Sequence, residues 1–303
     1  MRKILGPVLV GLGAFLVAVA IVALVWAPGV VKKTPIDVET TTNLSGTVSK
    51  LGSPEQPVKV QSITRTDTDA STDEVAMWFA TSCVVIDVND APDCVDGDDE
   101  RLVSASNDVF ATDRVTALAL PDFEGLPADA VPHEGLVNKW PFDSEKKDYE
   151  YWDGTTGSAV PAVFDREETL LGVDVYVYKV SIVDAPIEVA EGVDGTYTNT
   201  IEIWVEPKTG AIQQQTQDQQ RYLADGTQAL DLKVGFTDEQ LQTNADDAKD
   251  NMGRLALMLT WVPIAGFVAG GLALVAGLLL LRGGRGAHDR RTEQEEGRAH
   301  AGV

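Results

Sequence analysis

Two stretches of the chain, residues 4–26 and 255–281, are apolar and free of charged side chains. Each exceeds the roughly 20 residues a helix needs to cross a bilayer, so the pattern predicts two membrane-spanning helices. Between them the hydrophobic period shortens to two. "LLGVDVYVYKVSIV" alternates Val173, Val175 and Val177 with Asp174, Tyr176 and Tyr178, as a strand covered on one face does. In "TIEIWVEPKTGAIQQQTQ", Ile201, Ile203 and Val205 alternate with Glu202, Trp204 and Glu206, and residues 207–210 supply turn chemistry, so a hairpin is predicted. "ALDLKVGF" puts Leu230, Leu232, Val234 and Phe236 on one face, and "EVAMWFATSCVVIDV" and "RVTALAL" also read as strands. The fold class that follows is mainly β: an antiparallel sheet or barrel, α+β overall, lying between two transmembrane helices.

The ends of these elements set the organisation. The first apolar stretch lacks an A-x-A site and ends in "WAPGVV", which predicts an uncleaved signal anchor. Arg2 and Lys3 precede it, and Arg282, Arg285, Arg290 and Arg291 follow the second; they outnumber Lys32, Lys33 and Arg254 on the other side. Basic residues stay on the cytoplasmic side, so both termini are expected in the cytoplasm of a plasma-membrane protein, with the large domain outside. The expected division is a cytoplasmic N-terminus (1–3), a first span (4–26), an extracytoplasmic β-rich domain (27–254), a second span (255–281) and a disordered cytoplasmic tail (282–303). Before the second span, "TDEQLQTNADDAKDNM" places Thr237 three residues ahead of Gln240, a capping-box spacing that predicts a short helix. Within that span Gly266 and Gly270 have the G-x-x-x-G spacing that lets helices approach closely. The partner is either another copy, giving a helix–helix oligomer, or the first helix, where Gly11, Gly13 and Ala14 are small.

Charge sharpens the contrast between the parts. Residues 34–251 hold 14 Lys and Arg against 43 Asp and Glu, while the rest of the chain holds 10 against 4. So acidic an exterior argues against a nucleic-acid partner. Cys83 and Cys94, both in the acidic region, enclose "CVVIDVNDAPDC"; outside the cytosol two cysteines this close are expected to form a disulfide. Carboxylates crowd that loop. Oxygen ligands at short spacing suit calcium, for which Asp90, Asp93, Asp96 and Asp98 are the candidates, but the EF-hand register is absent and a solvated acidic loop is preferred.

The sequence carries no recognisable catalytic motif. The chain has no nucleophile elbow, zinc-protease motif, phosphate loop or dinucleotide fingerprint, so neither an enzyme nor a cofactor is expected. His133, in a Pro-His-Glu-Gly loop, reads as a surface histidine. One stretch does stand out. "GLVNKWPFDSEKKDYEYWDGTTGSAVPAVF" gathers Trp140, Phe142, Tyr149, Tyr151, Trp152 and Phe164 in a chain otherwise poor in aromatics. Such rings either fill a β core or wall an apolar ligand pocket rimmed by Asn138, Lys139 and Asp153.

The run "GLVNKWPFDSEKKDYEYWDGT", the later "VEPKTG" and the span–domain–span layout resemble an actinobacterial family of two-span envelope proteins labelled porin PorA-like. "YWDGTTGSAVPAVF" followed by "LLGVDVYVYKV" is more weakly similar to the class B scavenger receptors, with Asp153 replacing an expected Asn and far fewer cysteines. That second resemblance implies an outer domain with a lipid tunnel. The expected function is therefore a membrane-anchored envelope protein that binds or conducts membrane lipid or another apolar ligand. A porin-like channel component and a structural or sensory module are the alternatives.

Overall fold

The computed structural model describes the backbone of residues 2–299 and the side chains of residues 4–282. The chain forms two units, a helical one (Met1–Val31 with Gly253–Val303) and a β one (Lys32–Met252).

In the helical unit, α1 (Arg2–Val31) and α3 (Val262–Ala299) pack antiparallel, and a π turn, Leu257–Trp261, precedes α3. Both helices belong to segments long and apolar enough to cross a membrane. Their contact is built from small residues at a spacing of seven in α1: Gly6, Gly13 and Ala20. A Cβ added to Gly270 would lie 2.9 Å from the Gly13 carbonyl oxygen, one on Gly277 2.9 Å from that of Gly6, and one on Gly266 2.9 Å from the Ala20 Cβ. Side chains larger than hydrogen would force the backbones apart. The G-x-x-x-G pair therefore makes its close approach to α1 of the same chain, through Gly13 rather than Gly11, which has no neighbour within 4 Å. The α3 backbone is helical to Ala299, and residues 300–303 of the expected tail lie outside the described residues.

The β unit is one ten-stranded antiparallel sheet that curls into a half-barrel. Its strands are β1 (Glu39–Lys50), β2 (Gln56–Thr66), β3 (Val75–Ile86), β4 (Leu102–Asp113), β5 (Tyr149–Asp153), β6 (Ser158–Leu170), β7 (Val173–Ala190), β8 (Val193–Glu206), β9 (Ala211–Leu223) and β10 (Gln228–Phe236). In space they run β4-β3-β2-β1-β10-β9-β8-β7-β6-β5, two meanders joined where β1 pairs with β10. Single bridges Thr112↔Ala119, Leu118↔Leu136 and Leu136↔Tyr151 carry the segment between β4 and β5 across both edges of the sheet.

Alternation assigns the faces. Leu44, Val48, Val58, Val60, Val84, Ile86, Leu232 and Val234 form one buried cluster, and Tyr151, Ala162, Tyr178, Val180, Tyr197, Ile201 and Ile203 belong to another. Cross-strand register puts both clusters on the same face, the one enclosed by the curl. The outer face is polar over β1, β9 and β10, with Thr41, Asn43, Ser45, Thr216, Asp218, Asp231 and Lys233. Where it is apolar it is covered. The helix α2 (Asp238–Ala256) lays Ala245 and Ala248 on Val173, Val175, Val177 and Trp204, and the loop carrying Ala91 and Val95 covers Cys83 and Val85. Cys83 and Cys94 stand at disulfide distance there, their Cα atoms 5.6 Å apart.

Several elements differ from their sequence reading. The strand expected to be covered on one face, β7, is covered on both, by α2 outside and by Trp140 and its neighbours inside. "RVTALAL" is a turn followed by two single bridges, because Asp113 Oδ1 accepts the Val115 and Thr116 amides at 2.9 and 2.7 Å and turns the chain before a strand can extend. Half of the capping box before α2 forms: Thr237 Oγ1 accepts the Gln240 amide at 3.2 Å, but the Gln240 side chain reaches across to the Asn43 amide instead of folding back.

Candidate functional site

The inner face of the curled sheet gathers most of the unusual residues. At its β5–β8 end, Trp140 enters from the connecting segment and is fully buried, 5.5 Å from the Tyr151 ring, 5.2 Å from Tyr178 and 6.5 Å from Tyr149. Its backbone amide donates to the Gly210 carbonyl at 2.8 Å. Gly210, at φ +74°, is required twice over: by its left-handed conformation, and because an added Cβ would meet the Trp140 oxygen at 1.9 Å. Tyr178 Oη donates to the Glu145 carbonyl and Tyr149 Oη accepts the Glu145 amide, at 2.8 and 2.9 Å, so two tyrosines pin the segment down. Burial pushes the Tyr151 phenol up to about 12 and raises that of Tyr178 as well.

The structure thus brings together Trp140, Tyr149, Tyr151 and Phe164, the last edge-on to Tyr178 at 5.9 Å. It sets the other two candidates apart. Phe142 is half-buried beneath Lys139, whose Nζ lies 4.0 Å from its ring centroid. Trp152 faces the opposite way from Tyr151 and packs on His133, with 4.5 Å between ring centroids. Of the rim residues, Asp153 is buried and accepts a hydrogen bond from Tyr197 Oη at 2.9 Å, while Asn138 and Lys139 are half-buried.

His133 corrects the surface reading. It is buried between Phe110 and Trp152, its Nε2 2.9 Å from Asp108 Oδ2 and its Nδ1 2.7 Å from the Val131 carbonyl. It ties β4 to β5, the two sheet edges. The sequence hid this because its partners lie far away in the chain. Sequence reasoning also passed over a polar stripe on β9. Gln215, Gln217, Gln219 and Arg221 point to the inner face, opposite Ile203, Ile201, Asn199 and Tyr197 on β8. The run "QQQTQDQQR" signalled it only by showing no alternation at all.

Two open grooves lie elsewhere, on the β2–β4 side. One, of about 400 Å³, includes Ile63, Arg65, Phe79 and Val109; the other, of about 270 Å³, runs along residues 65–69. Neither is lined by the six aromatic candidates. At the acidic loop, Lys59 Nζ lies 3.2 Å from Asp93 and 4.0 Å from Asp87. Among the described residues no group of three or more His, Cys, Asp or Glu is placed to hold a metal ion.

A family model for porin PorA matches residues 5–279. The chain belongs to the porin PorA family. With its two apolar helices, this makes it a membrane protein of the cell envelope. No curated protein matches the chain, and the likeness to class B scavenger receptors is not shown.

Proposed function

We propose that this porin PorA family member is a non-enzymatic, membrane-tethered protein whose β unit holds or passes the apolar chain of a lipid along the inner face of its sheet. The observation that carries this reading is the polarity of the sheet. A β-barrel that crosses a membrane turns its apolar side chains outward to lipid and its polar ones inward. Here Leu44, Val48, Val58, Leu232 and Val234 point inward, interrupted by the polar stripe Gln215 to Arg221 of β9, and Thr41, Lys59, Asp218, Asp231 and Lys233 point outward. Such a sheet suits water outside and an apolar guest inside. The basic residues at the chain ends favour cytoplasmic termini, the antiparallel α1–α3 hairpin keeps both ends on one side, and a disulfide fits an oxidising compartment outside the cytosol. Protease added to intact cells is expected to remove the β unit while sparing a tag placed after Val303; loss of the tag would reverse the orientation.

The family description favours a second reading, a channel. The polar outer face argues against the sheet as the wall of a membrane pore; conduction would then need helices from several copies, and neither span carries a charged residue to line an ion path. Native mass spectrometry of the full-length protein in mild detergent separates the two. The lipid reading expects a bound species of lipid mass that survives removal of the detergent. Protein that is lipid-free in several detergents yet conducts in planar bilayers would favour the channel.

A further inference from the structure

We propose that the inner face carries a head-group site for an anionic amphiphile, centred on Arg221. This rests on the apolar-chain reading above and narrows its ligand. Arg221 sits on β9 opposite Tyr197 of β8 and Leu230 of β10, on the enclosed face. The chain has 47 acidic residues against 24 Lys and Arg. Arg101 and Arg166 each hold a carboxylate, Arg101 to Asp99 at 2.6 Å and Arg166 to Glu168 at 2.9 Å, while Arg114 spends its guanidinium on backbone carbonyls and Arg65 lies over the Phe79 ring. Among the described residues Arg221 has no carboxylate within 4.0 Å. With the Gln219 amide turned so that its oxygen faces the guanidinium, that oxygen accepts from Nε and Nη2 at 2.8 and 2.9 Å. Asp153 is near enough to be felt, but it is engaged elsewhere: Oδ1 accepts the Thr155 and Thr156 amides, and Oδ2 accepts the Tyr197 hydroxyl.

A second polar group in the same cluster lacks a partner on one atom. Asn199, directly across from Gln219, is 1% exposed; its Nδ2 donates to Tyr197 Oη at 2.8 Å, and its Oδ1 accepts from nothing. A buried acceptor without a donor is costly, and so is a desolvated guanidinium without an anion. One ligand group answers both. An oxyanion takes the Nη1 edge of the guanidinium that Gln219 leaves open, and a hydroxyl on the same head donates to Asn199 Oδ1. Apolar walls stand on either side, Ile201 and Ile203 of β8 and Leu230 and Leu232 of β10. A charged anchor between apolar walls is the chemistry that recognises an apolar chain whose head pairs a carboxylate or phosphate with a hydroxyl.

The test uses full-length protein in nanodiscs of neutral lipid, a photoreactive 2-hydroxypalmitate analogue, and the methyl ester of the same probe, in buffer alkaline enough to ionise the acid. Cross-links are mapped to peptides of β8, β9 and β10. In the wild type the acid is expected to label these peptides about tenfold more than the ester, the worth of one charge-assisted contact. Arg221→Gln should erase that preference while leaving ester labelling unchanged. Arg221→Lys, which keeps the charge but loses the fork, should keep a reduced preference, and it carries the test if R221Q fails to fold. Lys233→Gln, on the outer face, should change nothing. An acid preference that survives R221Q overturns the head-group site while the apolar-chain reading stands; failure of both probes to reach these peptides sinks that reading itself. Displacement of the acid probe by excess acetate would assign the site to a free carboxylate and overturn the amphiphile.

Discussion

Lys139 is where charge and burial conflict most openly. Its Nζ has Thr34 Oγ1 at 3.0 Å and the Phe142 ring at 4.0 Å, and burial pulls its pKa down to about 8. The unfolded chain keeps this proton to the usual lysine value of 10.5, whereas the folded chain releases it near 8. Folding is therefore penalised most below pH 8 and grows more favourable as pH rises through that window. Lys139→Met is expected to raise stability by about 2 kcal/mol at pH 7, with the gain shrinking toward pH 10. Thermal melts of the full-length protein at the two pH values check this; an equal shift at both would refute the titration. At this scale the sequence was half legible. The aromatic run showed that something is buried around Trp140, but whether as core or as pocket wall depends on Gly210 and Glu145, which no local pattern connects to it. His133 looked exposed because Pro132, Glu134 and Gly135 punctuate a loop, and the Asp108 and Trp152 that enclose it are distant in the chain.

Among the elements, β7, β8 and β10 were readable because apolar and polar positions alternate. β1 and β4 were not: "ETTTNLSGTVSK" and "LVSASNDVFATD" put small polar residues on both faces, so no period of two emerges. The helices were legible as spans, but the partner of the G-x-x-x-G pair was not, since spacing alone suits either an oligomer or a hairpin. The structure places Gly266 against Ala20. Gly266→Leu, which does not fit against Ala20, is expected to lower the melting temperature of a protein that native mass spectrometry finds as a monomer before and after the change. A wild-type dimer that Gly266→Leu converts to monomer would move these glycines to an interface between copies.

At the scale of the whole molecule, the decisive feature is non-local. β1 and β10, from opposite ends of the β unit, pair in the middle of the sheet, and the segment between β4 and β5 crosses both outer edges. This arrangement curls the sheet and turns its apolar face inward, a result that strand patterns anticipate only as far as "antiparallel sheet or barrel". The proposed lipid function depends on that inward face being the one a lipid meets. The most direct measurement places a photoreactive amino acid at Leu232 or at Lys233 of the full-length protein in its own membrane. The two positions are adjacent in β10 and point to opposite faces, Leu232 inward and nearly buried, Lys233 outward and exposed. Irradiation followed by mass spectrometry is expected to find lipid adducts at position 232 and none above background at 233. Equal labelling at both positions, or a folded protein that labels only at 233, would contradict the account.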